Sequence, residues 1–167
     1  FLKNNMLTAS ALFRNIINNY SIQKIEYVFA NPCFDNFSIP SENSLQTING
    51  AIFTGSSYSV YDNNNHVNNC KKLFHKLVDH KIPLFGSCFG LQLFVNESGG
   101  NVIKSNKGRE IGICRDIIIT DNLHYIYKDK IKDNKLNHFN SICSHNDNVV
   151  EIKNGNVLSY NNHCIQS

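Results

Sequence analysis

The stretch "KIPLFGSCFGLQLF", Lys81 to Phe94, places a cysteine between two glycines where one apolar run ends and another begins. The first run predicts a short buried strand, and the second predicts a helix. A chain that turns abruptly from strand to helix at Cys88 needs Gly86 and Gly90, because side chains at those positions would clash. The stretch therefore predicts a strand, a tight corner and a helix, with the sulfur of Cys88 lifted clear of the sheet.

This corner suits a nucleophile. The first turn of the new helix directs unsatisfied N–H groups and a partial positive charge at the sulfur, which favours the thiolate. The same amides, with Phe89 supplying one of them, would stabilise an oxyanion formed when the thiolate attacks a carbonyl. The alternative is a cysteine that caps an ordinary strand–helix turn, with the glycines present for packing. The position between a buried strand and a helix favours the nucleophile.

Helices and strands alternate on both sides of the corner. The apolar spacing predicts helices over 8–20, 67–78 and 91–95, strands over 24–29 and 50–55, and a loop with a short helix over 30–48. Such alternation predicts an α/β fold, a doubly wound and mostly parallel sheet with helices on both faces. Ligands of such sheets bind at the carboxyl ends of the strands, where "TGSS" and "GSCFG" lie.

The second half of the chain has a different pattern. After Gly100 the segments are β-rich, namely "NVIK", "GREIGICRDIIIT", "SICSH", "VVEI" and "NVLSYN". They predict an antiparallel extension of the sheet. Because no domain boundary is evident, we expect residues 1–167 to form one domain.

Composition excludes several classes of protein. The net charge of +3 comes from scattered lysines without a basic stripe, so we expect no nucleic-acid partner. Without a long apolar run or a signal peptide, we expect no membrane association and a cytoplasmic location. The irregular spacing of the cysteines predicts reduced thiols; the cysteines are Cys33, Cys70, Cys88, Cys114, Cys143 and Cys164. Because no Cys or His pair has metal-ligand spacing, we expect no metal. The histidines at 66, 75, 80, 124 and 138 are predicted in helices or polar loops.

The segment "GSCFGLQ" resembles the nucleophile elbow of class I glutamine amidotransferases, whose pattern is G-x-C-x-G-x-Q. Four further segments are similar to that family in the same order: "GAIFTGSSYSVYD", "KGREIGICRDIIIT", "SHNDNVVEI" and "NVLSYNNHCIQS". Nearly the whole chain is covered. The likeness is greatest to glutaminase domains of the GMP-synthase type and their stand-alone relatives, and it implies the flavodoxin-like fold of class I glutaminases.

The resemblance implies that glutamine is the substrate. Cys88 would attack the side-chain amide, release ammonia and form a thioester that water hydrolyses. Phe89 and the Gly55–Ser56 peptide would donate hydrogen bonds to the oxyanion, although Ser56 replaces a glycine common in the family. Gln92 matches a substrate-contacting glutamine, whereas spacing alone equally allows a solvent-facing helix residue. No cofactor is implied, and a synthase domain or subunit would receive the ammonia.

The sequence departs from the family where the catalytic histidine and glutamate are expected. It contains no His-Pro-Glu motif, and His163 is followed by Cys and Ile. We therefore expect a domain that lacks the first strand and the His-Pro-Glu segment, and that is nearly inactive alone. His145, oriented by Asp147, is an internal candidate base, and the alternative is a loop histidine at the start of a strand. A γ-glutamyl hydrolase-type enzyme and a catalytically inactive family member remain as alternative functions.

Overall fold

The computed structural model describes residues 8–32, 37–123 and 137–167, apart from the side chain of Asp116. Cys33 and His124 lie outside the described residues. The helices are α1 (Ala9–Tyr20), α2 (Glu42–Leu45), α3 (Asn65–Asp79) and α4 (Phe89–Glu97). The strands are β1 (Ala51–Phe53), β2 (Leu84–Gly86), β3 (Asn101–Lys104), β4 (Glu110–Ile119), β5 (His138–His145), β6 (Asp147–Glu151) and β7 (Ser159–Tyr160).

A parallel strand pair lies at the centre of the N-terminal half. β1 and β2 pair with Phe53 opposite Gly86, and α3 is the crossover between them. Phe53 packs against Phe94 of α4, with ring centroids 5.4 Å apart. Phe85 points to the other face of the pair, where its ring contacts Phe13 of α1 at 6.2 Å. Helix α4 therefore covers one face, and α1 contacts the other through Phe13, where Phe85 is still 57% exposed. The mixture of helices and strands is that of the predicted α/β fold.

The main core fills the space between the parallel pair and the helices α3 and α4. Its members are apolar and less than a tenth exposed, and they include Val60, Val67, Leu73, Leu77 and Leu93. Asn64 begins α3 by accepting a hydrogen bond from the Val67 amide at 2.9 Å, as expected of an N-cap asparagine. Burial of this helical face anchors the crossover and sets the position of the corner at Cys88.

The C-terminal half is antiparallel. β3 pairs with β6, and β4 lies between β5 and β7. Parallel pairing within the described residues is limited to β1 and β2. The expected antiparallel extension is confirmed, and in the described residues it provides most of the strand pairing.

The strand predicted over Lys24–Phe29 is wrong. These residues form no secondary structure, and Val28 and Phe29 are 82% and 56% exposed. A strand requires a neighbour for its backbone hydrogen bonds, and this segment finds none among the described residues. Instead, Tyr27 donates its hydroxyl hydrogen to Asn18 of α1 at 2.7 Å.

Helix α1 forms where the spacing predicts it, with Thr8 accepting a hydrogen bond from the Ala11 amide as N-cap. Its apolar face is not buried among the described residues, since Leu12 and Ile16 are about half exposed. None of the described helices combines the length and the apolar character that crossing a membrane requires.

Candidate active site

The corner at Cys88 has the backbone geometry that the sequence predicts. Cys88 is the N-cap of α4 and has φ 55° and ψ −109°, a conformation that residues with a side chain rarely adopt. The corner is held in place by two hydrogen bonds: the Ser87 amide donates to the Phe53 carbonyl at 2.9 Å, and the Gln92 amide donates to the Cys88 carbonyl at 3.1 Å. A strained residue held by its surroundings is typical of functional sites.

The two glycines leave room for the close approach of strand and helix. A Cβ atom added at Gly90 would lie 2.3 Å from the Phe53 carbonyl oxygen. One added at Gly86 would lie 2.5 Å from the Gly90 carbonyl carbon. Both positions therefore exclude a side chain, and α4 starts directly against the ends of β1 and β2.

Two of the three residues predicted to form the oxyanion hole lie beside Cys88. The Phe89 amide donates a hydrogen bond toward Cys88. Gly55 approaches so closely that a Cβ atom there would be 3.6 Å from Cys88 Cβ and 3.9 Å from its Sγ. Ser56 follows, with its hydroxyl 3.2 Å from His66 Nε2 and accepting a hydrogen bond from the Tyr58 amide. The structure thus brings Phe89 and Gly55 next to Cys88, with Ser56 following Gly55 in the chain. Their role as an oxyanion hole remains a prediction.

The expected thiolate is not supported by the electrostatics. Although Cys88 is open to solvent, partial desolvation raises the pKa of its thiol, and the negative charge of Asp147 raises it further. The Phe89 amide lowers that pKa but does not outweigh the other two effects. Sequence reasoning considered the helix N-terminus and overlooked Asp147, which reaches the site from β6.

Gln92 is a buried residue. It is 7% exposed, and its side-chain amide donates to the Asp147 carbonyl at 3.1 Å. This bond ties α4 to the start of β6 and rules out the solvent-facing alternative. Contact of Gln92 with a substrate remains a prediction.

His145 lies near the site but is oriented differently from expected. Its Nδ1 is 3.2 Å from the backbone carbonyl of Asp147, and its Nε2 is 2.8 Å from Glu110 Oε2. The carboxylate of Asp147 points elsewhere and accepts hydrogen bonds from the hydroxyls of Ser59 and Tyr61, at 2.5 and 2.7 Å. The expected orientation of His145 by the Asp147 side chain is therefore wrong, because Glu110 occupies that position.

The family of this chain is shown by comparison with known proteins. The family model for glutamine amidotransferase class-I matches residues 13–166. The chain belongs to the class I glutamine amidotransferase family. This is the family whose elbow the segment around Cys88 resembles.

The proteins that this chain resembles in sequence are named for two different activities. The chain is 27% identical over 127 residues to γ-glutamyl peptidase 4 of Arabidopsis thaliana, covering 72% of this chain and 48% of the peptidase. It is 31% identical over 121 residues to the glutamine-hydrolysing GMP synthase of Borreliella burgdorferi, covering 72% of this chain and 21% of the synthase. The chain thus spans about half of one relative and about a fifth of the other.

Solved structures agree on the fold of a class I glutamine amidotransferase. A glutamine amidotransferase from Thermotoga maritima superposes with a TM-score of 0.67 at 15% identity, covering 93% of this chain and 63% of that one. A glutamine amidotransferase from Methylobacillus flagellatus gives a TM-score of 0.63 at 19% identity, covering 78% and 49%. Because these identities are low, the likeness shows the fold alone.

The candidate site also includes residues that sequence reasoning missed. Ser59 and Tyr61 hold the Asp147 carboxylate from the loop after β1, and Arg109 donates to the Ser144 hydroxyl at 3.0 Å. The Ser144 carbonyl oxygen lies 3.9 Å from Cys88 Sγ. The segments "SSYSVYD", "GREIG" and "SHNDN" all carried the resemblance, but no spacing rule indicated that their side chains meet.

Glu110 is the most densely contacted of the missed residues. Burial opposes its ionisation, but hydrogen bonds from Cys114, Gln166 and Asn161 outweigh that effect, so its pKa lies below the ordinary value. The structure also brings possible metal-ligand atoms together around it, in two sets that no sequence spacing indicated. One set is Glu110, Cys114 and Cys143, and the other is Glu110, His145 and Cys164.

The other histidines serve different contacts. His75 and His80 pair with Glu97 and Glu42 on the surface of the helices. His163 Nδ1 lies 3.8 Å from Glu110 Oε1. The five cysteines within the described part of the chain form no disulfide with one another.

Proposed function

We propose that the chain is a glutaminase domain in which Cys88 is the nucleophile. The observation that carries this proposal is the left-handed backbone at Cys88, held between Gly86 and Gly90 at the carboxyl end of β2. A residue with a side chain is strained by about 1–3 kcal/mol in that conformation. Such strain is expected where the sulfur must project from the corner.

In the proposed reaction, Cys88 Sγ attacks the side-chain amide carbon of glutamine. The carbonyl oxygen becomes an oxyanion that accepts hydrogen bonds from the Phe89 amide and the Gly55–Ser56 peptide. As the intermediate collapses, the C–N bond breaks and nitrogen takes up the proton released by the thiol, which gives ammonia and a thioester. Water then attacks the thioester, releasing glutamate and restoring the thiol.

His145 is not oriented to accept the proton of the Cys88 thiol. Both of its ring nitrogens are directed at other oxygens, Nδ1 at the Asp147 carbonyl and Nε2 at Glu110. We assign the role of proton acceptor to a His-Pro-Glu segment of the kind the family uses, which this sequence does not contain. We therefore expect the 167-residue chain to be labelled at Cys88 but to turn over glutamine slowly.

A γ-glutamyl peptidase is the second candidate function. It is favoured by the likeness to the Arabidopsis peptidase, and it requires the same attack on a γ-glutamyl carbonyl, with an amino acid or peptide as the leaving group in place of ammonia. Under the first proposal, a synthase domain or subunit would receive the ammonia, as the name of the GMP synthase relative suggests.

A labelling experiment separates these functions without requiring turnover. The chain is treated with a diazoketone analogue of glutamine, alone or with excess glutamine or a γ-glutamyl dipeptide, and the labelled cysteine is located by mass spectrometry. Cys88→Ser and an electrophile without the amino-acid group are the controls.

The proposal predicts labelling at Cys88 that glutamine slows, and that is absent from Cys88→Ser. Protection by the dipeptide alone would instead support the peptidase. Labelling of other thiols, or labelling of Cys88 that neither compound slows, would contradict both functions and favour a catalytically inactive family member.

A further inference from the structure

A cluster of side chains of the types that ligate metals lies on one face of the β4–β5 pair, apart from Cys88. Glu110 and His145 are direct cross-strand partners, so their side chains share one face. Cys164 joins them from the C-terminal segment, which is held to β6 by the hydrogen bond from the Ile165 amide to the Val149 carbonyl at 3.2 Å. One ligand atom from each of Glu110, His145 and Cys164 lies within 4.8 Å of the other two.

We propose that Glu110, His145 and Cys164 bind a divalent transition-metal ion of the zinc class. A carboxylate, an imidazole and a thiolate form a ligand set that zinc accepts, whereas magnesium and calcium prefer oxygen ligands throughout. Two of the three ligands would be anionic, and a divalent cation would balance their charge. Water or His163 would take the fourth position.

The orientation of the His145 ring suits a metal ligand. Its Nδ1–H donates to the Asp147 carbonyl at 3.2 Å, which leaves the lone pair of a neutral imidazole on Nε2. That Nε2 is buried without a hydrogen bond and lies 2.8 Å from Glu110 Oε2. Two acceptors at this distance repel each other unless a proton or a cation lies between them. A backbone carbonyl on the other ring nitrogen is the usual partner of a metal-binding histidine.

Neighbouring amides hold the other two ligands. The side chain of Asn161 donates to Glu110 Oε1 at 2.6 Å. The side-chain amide of Gln166 donates to Glu110 Oε2 at 2.9 Å and lies 3.7 Å from Cys164 Sγ. Donors of this kind fix the orientation of carboxylate and thiolate ligands.

The cluster also has an access route and a second unpartnered nitrogen. An open cavity of about 480 Å³ is lined by Glu110 and His163, among other described residues. His163 Nε2 is buried without a hydrogen-bond partner, and its Nδ1 is 3.8 Å from Glu110 Oε1. An ion entering from this cavity would reach the carboxylate first.

Metal binding would join three segments of the chain next to the elbow. His145 follows Ser144, whose carbonyl oxygen is 3.9 Å from Cys88 Sγ, and precedes the segment held by Gln92. The ion would therefore fix the strand that borders the nucleophile, and it would keep His145 from acting as a base. Metal binding at this cluster does not depend on the proposed glutaminase reaction.

Cobalt(II) is the probe that tests this site. The purified, reduced chain is freed of metal with a chelator and titrated with cobalt(II), and then with zinc(II) to displace it. We expect one equivalent to bind, with a thiolate-to-cobalt charge-transfer band and the visible bands of tetrahedral cobalt. Cys164→Ser should abolish the charge-transfer band and weaken zinc binding by more than about 100-fold, beyond what loss of an outer-shell partner costs.

Matched variants assign the ligands. Cys88→Ser and His75→Gln should bind cobalt like the wild type, and Glu110→Gln should weaken binding even if Cys164→Ser fails to fold. Circular dichroism checks that each variant is folded. A charge-transfer band that survives in folded Cys164→Ser, or that Cys143→Ser removes instead, would overturn this ligand set, as would the absence of binding to the wild type.

Discussion

Replacing Gly90 with alanine is the sharpest test of the corner. The added Cβ would lie 2.3 Å from the Phe53 carbonyl oxygen and 2.8 Å from Phe53 Cβ, whereas ordinary contacts begin at 3.4 Å. Because the nearest of these atoms is backbone, rotation of a side chain cannot relieve the clash. Helix α4 and strand β1 would have to separate by roughly 1 Å.

The cost of that separation is large for one methyl group. Overpacking a core by this amount costs about 1–3 kcal/mol and occasionally more, while the better helix propensity of alanine returns up to about 1 kcal/mol. The same shift also loosens the contact of Phe53 with Phe94. We expect Gly90→Ala to lower the free energy of unfolding by about 2 kcal/mol, and the melting temperature by roughly 4–8 °C.

Urea unfolding followed by circular dichroism measures this loss, and Gly50→Ala is the matched control. Gly50 immediately precedes β1, and a Cβ there would meet only the Pro83 carbonyl oxygen at 3.6 Å. We expect the control to stay within about 0.5 kcal/mol of the wild type. If the two variants have equal stability, the close approach of α4 to β1 is not as described and the reasoning on the elbow fails.

Three other perturbations test the strain and the electrostatics of the site. Cys88→Gly should raise the free energy of unfolding by about 1 kcal/mol in the same urea assay, because glycine adopts φ 55° without strain; a loss of stability would argue against a strained nucleophile. Asp147→Asn should lower the pKa of Cys88, because it removes a negative charge that raises this pKa. The alkylation rate of Cys88 should therefore rise at a lower pH than in the wild type, and an unchanged pH profile would mean that Asp147 does not act on the sulfur. Glu97→Gln should lower the free energy of unfolding by about 0.2–1 kcal/mol near neutral pH and by little in acid. Burial opposes ionisation of Glu97, but hydrogen bonds from His75, Asn96 and Lys71 hold its folded-state pKa below the ordinary value, so its stabilising effect is present above the unfolded-state pKa and lost as pH falls through the folded-state pKa. A loss of stability that is the same at neutral and acid pH would contradict this pairing.

The local sequence was sufficient to predict the corner. A short apolar strand, two glycines around a cysteine and an apolar helix follow one another within a single stretch, and each is governed by neighbours in the chain. For the same reason α1, α3 and the β-rich second half were predicted correctly. Segment 24–29 shows the limit of such reasoning, because its composition suits a strand but pairing depends on a partner elsewhere.

Contacts between distant segments decided the electrostatics of the site. Partial desolvation of Cys88, to which the negative charge of Asp147 adds, raises the pKa that the helix N-terminus alone would lower. Asp147 is held there by Ser59, which is 88 residues away in the chain and meets its carboxylate at 2.5 Å. Likewise, the antiparallel register of β4 and β5 sets Glu110 opposite His145, and the C-terminal segment adds Cys164. The sequence by itself determined where the corner at Cys88 lies, because backbone conformation there depends on adjacent residues. Only the tertiary structure decided which charge lies near Cys88 and which side chains meet around Glu110, because burial and Coulomb energies depend on distances through space.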